Sequence, residues 1–136
     1  MPSTHFEEGA DVFLYANDPK GLAEWYALNF GIEFFTEITD TYYMEFYYRD
    51  DSDPSKRWST VFAIMPARKA LGSVRGEYMI NYRVDDLRGF LEQLQSREVA
   101  TGAIEEQNDG RYPGSKGLFS WITDPEGNHI ELYQPV

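Results

Sequence analysis

The chain has 136 residues, which is about the size of one domain. Its 42% hydrophobic and 16% aromatic content can support a packed core and argues against general disorder. A formal net charge of −11 argues against nucleic acid and anionic lipid as partners, because both repel an acidic surface. The absence of cysteine excludes disulfides, thiolate metal ligands and a cysteine nucleophile.

Two further features bear on the cellular location. No apolar run approaches the roughly 20 residues that a membrane-spanning helix needs. The N-terminal residues lack the basic start and apolar stretch of a signal peptide. We therefore expect a cytoplasmic protein without a membrane partner.

The first half begins with a strand and a helix. Residues 12–16 form a short β-branched and aromatic run, which is typical of a strand. Asp18 can cap a helix, Pro19 suits the first helical turn, and apolar residues then recur at a spacing of four until Gly31. The pattern predicts a helix over about 19–30.

The second half repeats this beginning. Residues 79–84 read as a strand, and Asp85 and Asp86 follow as an acidic helix start. Leucine and phenylalanine then recur with helical spacing, which predicts a second amphipathic helix over about 86–97. These apolar positions are Leu87, Phe90, Leu91 and Leu94.

The two helix starts share the pattern D-x-x-G-[LF]-x-E, with an offset of 68 residues between Asp18 and Asp86. This offset is half of the chain, so it indicates a duplication that gives two similar units. Three extended stretches are predicted after each helix. They are about 32–37, 41–49 and 60–65 in the first half, and about 100–105, 118–122 and 128–133 in the second.

The C-terminal sequence TDPEGNHIELYQP, residues 123–135, follows GLFSW and is the most characteristic motif of the chain. Together with the paired strand-Asp-helix openings, it resembles the vicinal oxygen chelate superfamily of glyoxalases, bleomycin resistance proteins and extradiol dioxygenases. The resemblance implies an α+β fold in which two tandem βαβββ modules form a cupped mixed sheet around one cleft. We expect one domain over residues 1–136, with modules at about 10–67 and 76–136. The resemblance also implies a homodimer.

Members of this superfamily hold a divalent metal in the cleft through four side chains. The implied positions fall on Asp11, Phe62, Met79 and Glu131 in this sequence. Glu131 retains a ligand and Asp11 could bind a hard cation, whereas methionine and phenylalanine do not suit Mg²⁺, Mn²⁺ or Ni²⁺. We therefore expect no metal site and no cofactor, and a weakly bound divalent metal is the alternative.

Strand alternation places further side chains in the implied cleft with Glu131 and Asp11. Core packing, an ion pair of Arg83, a solvated Glu131 and a purely structural Asp11 remain open as alternative interpretations. The candidate ligand-binding residues are Phe13, Tyr15, Met79, Asn81, Arg83, Phe119, Trp121, His129 and Tyr133.

Two functions follow from the resemblance. The first is a metal-independent protein that binds a small molecule, with the acidic charge and aromatic residues favouring a cationic or aromatic ligand. The second is an enzyme, a lyase, isomerase or dioxygenase, that uses Glu131 and Asp11 as catalytic groups with a degenerate or weak metal site. The missing histidine ligands favour the binding protein.

Overall fold

The computed structural model describes residues 11–36, 39–49, 51–72, 75–108 and 116–135. The chain divides into two compact units, residues 1–71 and residues 72–136. The boundary falls between the two predicted modules. Within the described residues, the helices span 12 and 10 residues, and neither is long and apolar enough to cross a bilayer.

The first unit contains β1 (Val12–Ala16), α1 (Pro19–Phe30), β2 (Tyr42–Arg49) and β3 (Arg57–Pro66). Its sheet has the order β1-β3-β2, with β1 parallel and β2 antiparallel to β3. Alternate strand residues pack against α1 and form an apolar core, as burial of one sheet face requires. Its most buried large side chains are Leu14, Leu22, Tyr26, Phe62 and Ile64.

The second unit contains β4 (Arg75–Arg83), α2 (Leu87–Ser96), β5 (Glu105–Gln107), β6 (Gly117–Thr123) and β7 (Asn128–Pro135). Its sheet has the order β4-β7-β6-β5, and only the β4–β7 pair is parallel. Helix α2 covers one face of the sheet, and its buried residues are leucines. The core includes Leu87, Leu91, Leu94, Ile122, Ile130 and Leu132.

The α+β class and the strand order of the repeat are confirmed, while one strand of each unit differs from its prediction. The stretch 32–37 forms only an isolated bridge between Phe35 and Tyr43, followed by a turn in which Asp40 has a φ of 58°. The stretch 100–105 is nearly all loop, because the Gly102 carbonyl accepts the Ser120 hydroxyl instead of extending the ladder. Strand β5 therefore starts at Glu105.

The parallel pairs fix the correspondence between the units. Phe13 lies opposite Ala63, and Asn81 lies opposite Glu131, a separation of 50 residues in both cases. Ala63 is therefore the counterpart of Glu131. The alignment of Phe62 with the metal-binding glutamate is wrong, because Phe62 is 3% exposed and its ring lies 5.5 Å from that of Tyr26 on the helix-facing side.

The turn between β2 and β3 matches the predicted polar segment 50–56 where it is described. The Asp53 carboxylate accepts hydrogen bonds from the Ser55 hydroxyl at 2.6 Å and the Ser55 amide at 3.2 Å. These hydrogen bonds lower the pKa of Asp53, because they stabilise its charged form. Strands β2 and β3 thus leave and enter the sheet through a locally fixed loop.

Both helices begin with the same cap. The Asp18 carboxylate accepts from the Gly21 amide at 3.0 Å, and the Asp86 carboxylate accepts from the Gly89 amide at 3.1 Å. A β-carbon on either glycine would collide with the capping carboxylate. The D-x-x-G spacing therefore reflects a steric requirement of the cap as well as a helix start.

We predict that Gly89→Ala and Asp86→Ala are energetically coupled by about 1 kcal/mol, the value of one helix cap. In the Asp86→Ala background, alanine at 89 should raise the free energy of unfolding, because alanine is the better helix former by about 1 kcal/mol. In the native background this gain should vanish, since the new methyl group displaces the cap. Urea unfolding of the four variants measures the coupling, and strictly additive effects would contradict it.

Candidate functional site

Most of the candidate residues of the second unit lie on one face of its sheet, which we call the Glu131 face. It is formed by alternate residues of β4, β6 and β7, whereas Ile130 and Leu132 point to the buried side with α2. The strand register brings together residues that are far apart in sequence. The Glu131 face comprises Met79, Asn81, Arg83, Phe119, Trp121, Thr123, His129, Glu131 and Tyr133.

The Glu131 carboxylate is held by one side chain from each neighbouring strand. Asn81 Nδ2 donates to Oε1 at 2.6 Å, and Trp121 Nε1 donates to Oε2 at 2.9 Å. Both donors are neutral, and no described residue forms an ion pair with Glu131. The carboxylate is half-buried and fixed in orientation, and its charge is not balanced by a described cation.

Two aromatic rings flank this carboxylate along the strands. Phe119 and Tyr133 stack with centroids 4.8 Å apart at 21°, and each is 6% exposed. The Tyr133 hydroxyl donates to the Lys116 carbonyl at 3.1 Å, which fixes the ring. The Arg83 guanidinium lies 6.0 Å from the Tyr133 centroid. The two rings therefore form a rigid wall of the Glu131 face, and little of either ring is open to a ligand.

A groove of about 290 Å³ adjoins the other side of the Glu131 face. Trp121, Thr123 and His129 line it together with the loop 100–102. The half-exposed Met79 lies opposite His129 in the β4–β7 register. The volume is close to the lower end of small-ligand sites, roughly 300 to 1,000 Å³.

The β6–β7 turn positions the site. The Asp124 carboxylate is buried and accepts hydrogen bonds from the backbone amides of Glu126 at 2.9 Å and Asn128 at 3.0 Å. Gly127 adopts a φ of 89°, which favours glycine. The characteristic motif of the sequence thus has a structural task, because this turn sets Trp121 directly opposite Glu131.

The candidate residues of the first unit lie on β1. Phe13 and Tyr15 share one strand face and are 55% and 50% exposed. Asp11 is exposed, and its Oδ1 accepts from the Val61 amide at 2.8 Å. This contact gives Asp11 a structural task at the start of the β1–β3 pair. That these residues share one cleft with Met79 and Glu131 stays a prediction.

The side chains at the implied metal positions do not fit the family-type metal. With Ala63 in place of Phe62, two of the four positions carry groups that are poor or impossible ligands for a hard cation. The two carboxylates, Asp11 and Glu131, are both engaged by N–H donors. Over the described ranges, no cluster of three or more His, Asp or Glu side chains could hold an ion.

The sequence did not reveal the two hydrogen bonds to Glu131. One of them had a signal, because Trp121 and Glu131 are each five residues from Glu126 in the turn, so a hairpin sets them opposite each other. Asn81 had none, since a parallel partner 50 residues away depends on the whole intervening crossover. Asn81 was predicted only as a residue lining the cleft.

Comparison of the structure with solved structures identifies its fold. The chain is similar to the bleomycin resistance determinant encoded on transposon Tn5, with a TM-score of 0.64 and 18% identity over 96% of this chain and 98% of that one. A glyoxalase/bleomycin resistance protein/dioxygenase from Nocardioides gives a TM-score of 0.67 at 11% identity, covering 98% and 87%.

The fosfomycin resistance protein FosX from Listeria monocytogenes, in complex with Mn(II) and sulfate, gives a TM-score of 0.67 at 11% identity, covering 97% and 93%. No protein-family model matches the chain, and no curated protein matches it in sequence. The predicted resemblance is confirmed at the level of the fold, which is that of the vicinal oxygen chelate superfamily.

We predict that Gly117→Ala destabilises the protein by about 2 kcal/mol or more. Gly117 has a φ of 151°, and a β-carbon there would collide with the Gln134 carbonyl and lie 2.8 Å from Tyr133 Cε1. Gly72→Ala is the matched control, because no atom lies within 4 Å of its added β-carbon. Chemical unfolding should separate the two variants, and equal stabilities would show that the Tyr133 wall tolerates displacement.

Proposed function

We propose that the protein binds a small cationic ligand with an aromatic or apolar part, and that it does so on the Glu131 face without a metal. One observation carries the proposal. The Glu131 carboxylate is oriented by Asn81 and Trp121, both neutral donors, and no described cation neutralises it. An oriented anion on a partly apolar surface is suited to an ammonium or guanidinium group.

The hydrogen bonds leave capacity for such a ligand. A carboxylate has about four lone-pair sites, and the two donors occupy one on each oxygen. A ligand cation could accordingly bind without displacing either donor. The Trp121 indole lies beside it and would add a cation–π attraction of roughly 0.5 to 2 kcal/mol.

The rest of the protein favours a ligand of this charge. The net charge of −11 attracts cations over long range and accelerates their encounter. The groove beside Trp121 and His129 has room for the apolar part of a small molecule. Arg83 is the one cation on the Glu131 face, and it lies near Tyr133 rather than in an ion pair with Glu131.

The enzyme alternative, a lyase, isomerase or dioxygenase acting through Glu131 and Asp11, has less support. Asp11 is hydrogen-bonded to the Val61 amide, so acting as a base would compete with its task in the β1–β3 pair. A weak metal site remains the variant of this alternative that is most open to test, since the similar FosX structure contains Mn(II). The homodimer and the cytoplasmic location also stay predictions.

We predict that the purified protein carries no stoichiometric divalent metal after extensive dialysis, because the implied positions supply too few ligands. Elemental analysis gives the measurement, and added Mn²⁺ or Ni²⁺ should leave the melting temperature unchanged. One equivalent of bound metal that disappears in Glu131→Gln would instead support the enzyme alternative.

We predict that Glu131→Gln weakens binding of the probe benzyltrimethylammonium by about tenfold or more, because it removes the anion that pairs with the cation. Trp121→Phe should weaken binding less, since it leaves the charge and removes one donor. Isothermal titration calorimetry measures both, with far-UV circular dichroism to verify folding.

Glu92→Gln is the matched control, because this exposed glutamate on α2 gives the same change in net charge. It should bind the probe as the native protein does. Equal losses in Glu92→Gln and Glu131→Gln would reduce the effect to general charge attraction and would contradict the proposed site. No measurable binding to the native protein at about 10 mM probe would do the same.

A further inference from the structure

A second groove, in the first unit, has the opposite charge. It has a volume of about 320 Å³ and is lined by Tyr15, Ala67, Arg68, Lys69 and Leu71, and we call it the basic loop groove. It lies where the parallel strands β1 and β3 end. Open sheets commonly bind ligands at the carboxyl ends of parallel strands, where loops diverge.

The backbone of the basic loop groove is fixed at both ends by residues that follow β1. The Ala67 amide donates to the Ala16 carbonyl at 3.0 Å. Asn17 binds Leu71 twice, since its Oδ1 accepts from the Leu71 amide at 2.9 Å and its Nδ2 donates to the Leu71 carbonyl at 3.2 Å. The loop that carries the two cations is therefore held in one conformation, which lowers the entropic cost of binding.

The charge of the basic loop groove is unusual for this chain. Arg68 and Lys69 are adjacent, although the chain has only 12 basic residues against 23 acidic ones. Both are exposed, and neither forms an ion pair with a described residue. Their charges are thus available to a ligand in a protein whose general field repels anions.

The chemistry of the lining defines the ligand. Two cations suit a carboxylate or a phosphate group, with the Arg68 guanidinium able to bind either in a forked geometry. The Tyr15 ring is 50% exposed and offers a flat apolar surface beside them. We propose that the basic loop groove binds a small organic anion that joins a carboxylate or phosphate to a planar apolar group. This site is independent of the Glu131 face and selects the opposite charge.

Calorimetric titration with phenyl phosphate, inorganic phosphate and phenol tests the proposal. Phenyl phosphate should bind most tightly, because it alone combines the charge and the ring. Its affinity should fall as salt concentration rises, since the contact is exposed to solvent. If phenol binds as well as phenyl phosphate, or if no binding occurs up to about 10 mM, the proposal fails.

Variants locate the site. The double variant Arg68→Gln/Lys69→Gln should lose about tenfold or more in phenyl phosphate affinity, because it removes two charged donors. Lys20→Gln/Arg88→Gln is the matched control, since it removes the same charge from exposed positions on the two helices. Equal losses in both double variants would overturn the assignment.

Asn17→Ala tests the role of the fixed loop. It retains both cations and removes the two hydrogen bonds to Leu71, so affinity should fall through loop mobility. Circular dichroism and the unchanged binding of benzyltrimethylammonium would show that the fold is intact. An Asn17→Ala protein that is folded and binds phenyl phosphate with native affinity would contradict the preorganised groove.

Discussion

The parallel pairing of the first and last strands of each unit is the constraint on which the rest of the structure depends. In both units the paired residues are 50 positions apart, so a helix and all the later strands must fit inside that interval. The pairing places Asn81 beside Glu131 and Asp11 near the start of β3. The carboxylate at the centre of the Glu131 face is therefore oriented by the topology of the unit, in addition to its local sequence.

Elements with local causes could be predicted from the sequence. The two helices and their caps depend on the spacing of Asp18 with Gly21 and of Asp86 with Gly89, and the structure confirms both. The register of the fourth position failed, because aligning Pro66 with Pro135 is wrong by one residue. Pro66 corresponds to Gln134, and a slip of one residue moves a side chain to the opposite face of a strand.

The repeat also conceals a compensating difference that an offset of 68 does not reveal. Tyr43 lies opposite Ala63, 20 residues later, whereas Trp121 lies opposite Glu131, only 10 residues later. The first unit has the longer hairpin, and the second has the longer segment between its helix and its hairpin. The equal total preserves the parallel register, while the short second hairpin brings an indole to the acid. The first unit has Tyr43 and Ala63 at these positions and therefore lacks an equivalent pair.

The hydrogen bond between Trp121 and Glu131 has an optical consequence. Indole emission shifts with the polarity and hydrogen bonding around its N–H group, and this chain has three tryptophans. The other two, Trp25 and Trp58, lie on α1 and β3 of the first unit. A ligand that draws on the Glu131 carboxylate would alter the environment of Trp121 directly. The protein thus contains its own fluorescent reporter, with a reporting atom that is 2.9 Å from the acceptor it senses.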